Sequence, residues 1–125
     1  MTTRQETRIV GIIDLIASAA SAEALRRSFF QLNDDLARTD LEDLLQMSEP
    51  DLPARRSRAA LIAAAFAFRY NELGAEPPAW LKSSEVIAPA PVFLTEGFHD
   101  LTEARTPPVV SRYNIFVDDA SFRSV

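Results

Sequence analysis

The chain has 125 residues, no cysteine, one histidine and a formal net charge of −5, with 47% hydrophobic and 25% charged residues. That length supports one core and one domain, the balance is globular rather than disordered, and the lack of cysteine excludes disulfides, thiol catalysis and zinc–thiolate centres. The acidic excess disfavours non-specific nucleic-acid binding, and it lies early: residues 1–50 hold nine acids against five bases, residues 51–125 nine against eight.

Residues 4–19 read as a first helix, with Ile9, Ile12, Ile13 and Ile16 on one face and Val10 and Leu15 widening it. The opening MTTRQETR is polar and Asp14 interrupts the apolar run that follows, so no signal peptide is expected. Ser21 is the expected cap of a second helix over Ala22–Arg38, whose stripe is Leu25, Phe29, Leu32 and Leu36. Its other face carries Arg26, Arg27, Asp34 and Asp35, read as solvated, as are Glu42 and Asp43. The short link between these helices predicts an antiparallel hairpin. Thr39-Asp40-Leu41-Glu42 fits a capping box and predicts a short third helix through Met47.

The centre of the chain is Ala59–Phe68, AALIAAAFAF, ten apolar residues without interruption. A run with no polar face predicts a helix buried all round. With Asp51 as cap, Pro53 in the first turn and Gly74 as the stop, it should span Leu52–Leu73, about 33 Å. Ten apolar residues are too few to cross a bilayer, and no membrane segment is expected.

Beyond Gly74, prolines at 77, 78, 89, 91, 107 and 108 exclude long helices and predict short segments wrapped over the core. Pro78–Lys82 should form one turn carrying Trp80, and Phe93 and Phe98 should fill the core from loops. Thr106 is expected to cap a short helix beginning at Pro107-Pro108. Tyr113–Val117 is too isolated to predict a strand, and Asp118 should cap a last turn to Val125.

His99-Asp100 lacks the further histidines that a His-Asp metal site requires, and no G-x-S-x-G elbow is present. His99 therefore reads as a loop histidine. The three glycines, at 11, 74 and 97, can write neither a Walker loop nor a dinucleotide fingerprint. Arg55, Arg56 and Arg58 are the distinctive charges, since they oppose the helix dipole in a first turn; an Asp51–Arg55 pair at i, i+4 would offset part of that cost. Following Leu41–Met47 and a turn, they invite comparison with a helix-turn-helix. Trp80 reads either as a side chain packed under its own loop or as an interface anchor.

Two stretches, E-P-P-A-W-L at 76–81 and S-R-Y-N-I-F-V-D-D-A-S-F-R-S-V at 111–125, carry a resemblance. With the Ala-rich helix before them, residues 59–125 resemble an antitoxin-like or accessory helical module of bacterial, chiefly actinobacterial, proteins. Some members carry a helix-turn-helix domain, and members accompany nucleotidyltransferase-like toxins. The resemblance implies Trp80, Phe93, Arg112, Asn114 and Phe116 as characteristic, partner-binding positions and carries no catalytic role.

The expected fold is a single all-α domain, a small helical bundle. Residues 1–50 supply amphipathic helices, 51–74 the central buried helix, and 75–125 Pro-rich wrapping segments with short helices. The expected function is a non-catalytic, cytoplasmic protein-interaction domain, antitoxin-like, binding a partner protein or a second copy of itself, with no cofactor or metal. The alternatives are a DNA-binding regulator using Arg55, Arg56 and Arg58, and a small hydrolase or metal-carboxylate enzyme.

Overall fold

The computed structural model describes residues 4–94 and 99–118. Helices α1 (Arg4–Ser18), α2 (Ala22–Ala37), α3 (Leu41–Gln46) and α4 (Arg56–Glu72) are followed by two 3-10 turns, Ala79–Lys82 and Ser84–Val86. Strand β1 (Val92–Phe93), helices α5 (His99–Arg105) and α6 (Pro108–Ser111), and strand β2 (Ile115–Phe116) complete the chain. The architecture is all-α, a bundle around α4.

The first two helices form because each repeats its apolar positions at helical spacing, and each buries that stripe: Ile9, Ile12, Ile13 and Ile16 on α1, Phe29, Leu32 and Leu36 on α2. Ser21 caps α2 by accepting the Ala24 amide hydrogen at 3.0 Å. Gln5, near the start of α1, donates to the Asp35 carbonyl near the end of α2 at 2.8 Å, so the two run antiparallel. Both pack on α4, in which every residue from Ala59 to Phe68 is buried. Small alanines let the neighbours approach closely, while Leu61, Ile62 and Phe66 fill the space between.

Gly74 stops α4 at φ 65°. Its N–H reaches the Asn71 carbonyl and that of Ala75 the Tyr70 carbonyl, the paired bonds of a Schellman ending. The start of α4 departs from expectation. The helix begins at Arg56, not Leu52, and Arg55 stands at the N-cap without a side-chain capping bond. Pro53 disfavours helical geometry at Leu52, so residues 47–53 run as an irregular strap and α4 is about 25 Å long. Asp51 therefore caps nothing in α4, and the helical spacing that would pair it with Arg55 is absent.

Two further caps move. Asp40, next to Leu41, caps α3 by accepting from the Asp43 amide at 2.9 Å, while Thr39 turns back and donates to the Asp35 carbonyl. Thr106 does not cap α6, whose N-cap is Pro107; its hydroxyl donates to the Thr102 carbonyl and accepts from the Val117 amide. The Tyr113–Val117 stretch does contain a strand: Ile115 and Phe116 pair in parallel with Val92 and Phe93. His99 opens α5 instead of lying in a loop. Phe98 and the turn expected from Asp118 to Val125 lie outside the described residues.

Candidate functional site

The strap at residues 47–53 shapes the most distinctive surface. Pro50 and Pro53 keep it out of the flanking helices, and the Ser48 amide is tethered to Glu6 Oε1 on α1 at 3.2 Å. Among the described residues, three clefts adjoin it. The first, about 470 Å³, opens toward the 3-10 turns and is lined by Leu52, Arg56, Trp80, Glu85 and Val86. A second of about 510 Å³ is floored by Phe66, Tyr70, Pro77, Pro78 and Trp80. The third, about 400 Å³, lies toward α1, over Val10, Ile13 and Phe66. Glu49 lines all three, and Trp80 is shared by the first two.

Trp80 is placed by local geometry. The Pro77-Pro78 pair ends any helical path from α4, and the Ala79–Lys82 turn then sets the indole edge-on against Phe66, with ring centroids 5.5 Å apart. It is half-buried, part of its ring serving the core and part facing the clefts. Tyr113 fastens the turn from behind: its hydroxyl, fully buried, donates to the Leu81 carbonyl at 2.8 Å. Burial holds the Tyr113 hydroxyl above the ordinary tyrosine range, against a smaller opposing pull from Arg112. Burial alone does the same for Tyr70.

Charge around the clefts is one-sided. Among the described residues, Glu6, Asp14, Glu49, Asp51, Glu76 and Glu85 line them, against the single lining cation Arg56. Arg56 donates to the Ser84 carbonyl at 2.9 Å. Glu76 carries its own counterion, Lys82, at 2.8 Å, which holds the carboxyl below its usual range through a hydrogen bond and its charge.

The five positions implied by the resemblance do not form one patch. Parallel pairing of β1 with β2 brings Phe93, Asn114 and Phe116 together: the Phe93 and Phe116 rings stack at 5.0 Å, and Asn114 accepts the Val92 amide on its carbonyl. Asn114 sits at φ 65°, a conformation asparagine tolerates, and its side chain donates to the Ala88 carbonyl. His99 covers the outer face of Phe93, stacked at 4.1 Å. Arg112 lies over the Tyr113 ring and beside a smaller cleft of about 210 Å³. Trp80 stands apart from this group, on the strap clefts.

The three arginines of the regulator reading are divided. Arg58 donates to the Ile16 carbonyl at 2.7 Å, a cation at the C-terminal end of α1, and Arg56 holds Ser84. Burial, then the charge of Arg55, lowers Arg58 from the usual arginine range. Arg55 is exposed at the N-cap. Among the described residues, no group of three His, Asp or Glu side chains is placed to hold a metal ion, and no helix is long and apolar enough to cross a membrane.

One pair expected on a solvated face is split. Asp34 is exposed, but Asp35 is 2% exposed, because it shares the inward arc of α2 with Leu32 and Leu36. Its Oδ1 lies 3.4 Å from Arg8 and 3.9 Å from Arg38, while Oδ2 has no partner. Around it Gln5, Thr39 and Arg69 knit the ends of α1, α2 and α4, Arg69 donating twice to the Thr39 carbonyl. The 28, 32, 35, 36, 39 spacing is the signal that could have found this knot.

Comparison with family models, with curated proteins and with solved structures finds no match for this chain.

Proposed function

We propose that the chain is a non-catalytic protein-interaction domain, antitoxin-like or accessory in kind, which holds a partner protein across the strap face. The observation that carries this is Trp80, half-buried between two clefts and locked from behind by Phe66 and the Tyr113–Leu81 bond. A rigid indole at the border of apolar hollows is the kind of group that carries most of the energy of an interface, because it buries a large area at low entropic cost. Exposed Leu45 and Val10 extend the apolar surface on the strap's α3 and α1 sides.

The test is recovery of the tagged chain from the cells that make it, with its mass in solution, beside Trp80→Ala. The expected result is a stoichiometric complex for the unaltered chain and a bare monomer, still folded by circular dichroism, for the variant. Monomer in both cases overturns the reading.

A further inference from the structure

The partner's chemistry follows from the lining of the clefts. We infer that the strap face accepts a cationic segment of another protein, one that sets apolar side chains on Trp80 and in the flanking hollows and places lysines or arginines against the carboxylates. The inference rests on the interaction reading above and names the class of partner.

Charge complementarity selects a cationic partner. Glu49, Asp51, Glu85 and Asp14 are exposed carboxylates bordering an apolar floor of Phe66, Ile13 and Trp80. Exposed charges of one sign around an apolar centre speed and select the encounter with the opposite sign, while the floor supplies the affinity. An acidic segment or a nucleic-acid backbone would bring like charge to the same rim. Arg56, the one cation among the described lining residues, has its guanidinium turned to the Ser84 carbonyl.

Self-association is disfavoured by the same geometry. A two-fold dimer presents one patch to itself. Through this face it would bring Glu49 and its acidic neighbours of one copy against those of the other; Arg56 is the one cation among the described lining residues, and Lys82, beside them, is already engaged by Glu76. Another protein, not a second copy, is the occupant that satisfies the rim.

The experiment pans a random 12-residue peptide library on the intact protein and titrates the enriched peptides while following fluorescence from Trp80, the chain's single tryptophan. Net-positive peptides with apolar residues are expected to be enriched, to shift Trp80 emission, and to bind more weakly as salt is raised. Their affinity for Glu49→Lys/Glu85→Lys should fall by about tenfold. Both side chains are exposed. Glu49→Gln/Glu85→Gln is the milder second variant, expected to lose less. Neutral or acidic peptides that still shift Trp80 emission would overturn the cationic assignment and leave the interaction reading standing. So would cationic peptides bound equally well by both variants. If no enriched peptide disturbs Trp80, both fall.

Discussion

The two ends of the chain are held by different means. From Arg4 to Glu72, stability comes from long helices whose apolar faces close on α4, and polar bonds serve mainly at the joints. From Ala75 to Asp118 no helix exceeds seven residues among those described, and the elements are pinned by side chains bonded to distant backbone: Tyr113 to Leu81, Asn114 to Ala88, Thr106 to Val117. Short helices cannot stand on their own hydrogen bonds. The first region should therefore yield to lost apolar packing and the second to lost single polar bonds.

The largest expected effect breaks the first region. Ala64 is wholly buried in the middle of α4. Ala64→Asp puts a carboxylate where no solvent reaches, costing several kcal/mol or forcing it to stay protonated. Against a total of about 5–15 kcal/mol for a domain of this kind, the helical signal should lose its cooperative urea transition near neutral pH. A transition at an unchanged midpoint would mean that α4 is not the centre of the core.

A smaller effect probes the second region. Tyr113→Phe keeps the buried ring but leaves the Leu81 carbonyl without its donor, a cost of about 1–3 kcal/mol measured by urea unfolding. A pH series sharpens the point. Burial raises the folded-state pKa of Tyr113 and Tyr70 above the unfolded value, so the folded chain keeps these protons to higher pH. Their contribution is complete below the ordinary tyrosine range, near pH ~10, and is lost as pH rises through the raised values. Stability should fall steeply there in the unaltered chain and less steeply in Tyr113→Phe, where Tyr70 alone remains. Equal slopes would show that Tyr113 is not held in its neutral form.

The same division explains what could be read from residues alone. The isoleucine stripe of α1, the stripe of α2, the Ser21 cap, the buried alanine run and the Gly74 stop are local patterns, and each folded as its spacing required. Val10 and Leu15, expected to widen the α1 face, are instead 47% and 50% exposed. Caps one residue apart were harder: Asp40 displaced Thr39 because it stands next to the first helical residue. Pairing of Val92–Phe93 with Ile115–Phe116 joins two-residue strands across a long separation, with no local pattern to announce it. The strap face draws on α1, the strap, α4 and the Trp80 turn, so its acidic rim exists only after folding.

The smallest expected effect lies at Asp35, where the helical region uses a buried charge. Its carbonyl accepts from Gln5 and Thr39, both at 2.8 Å, and the Gln5 bond ties α1 to the end of α2. Its carboxylate is less well served. Oδ2 has no partner, and the two arginines near Oδ1 have side chains 54% and 71% exposed, so water weakens their attraction. A buried carboxylate compensated on one side only returns little of its desolvation cost. Asp35→Asn keeps the volume and the backbone bonds, removes the charge, and should change the unfolding free energy by less than about 1 kcal/mol. Thermal or urea unfolding decides it. A loss of more than about 2 kcal/mol would mean that the Arg8 and Arg38 charges hold the joint, and that this half also depends on specific polar contacts.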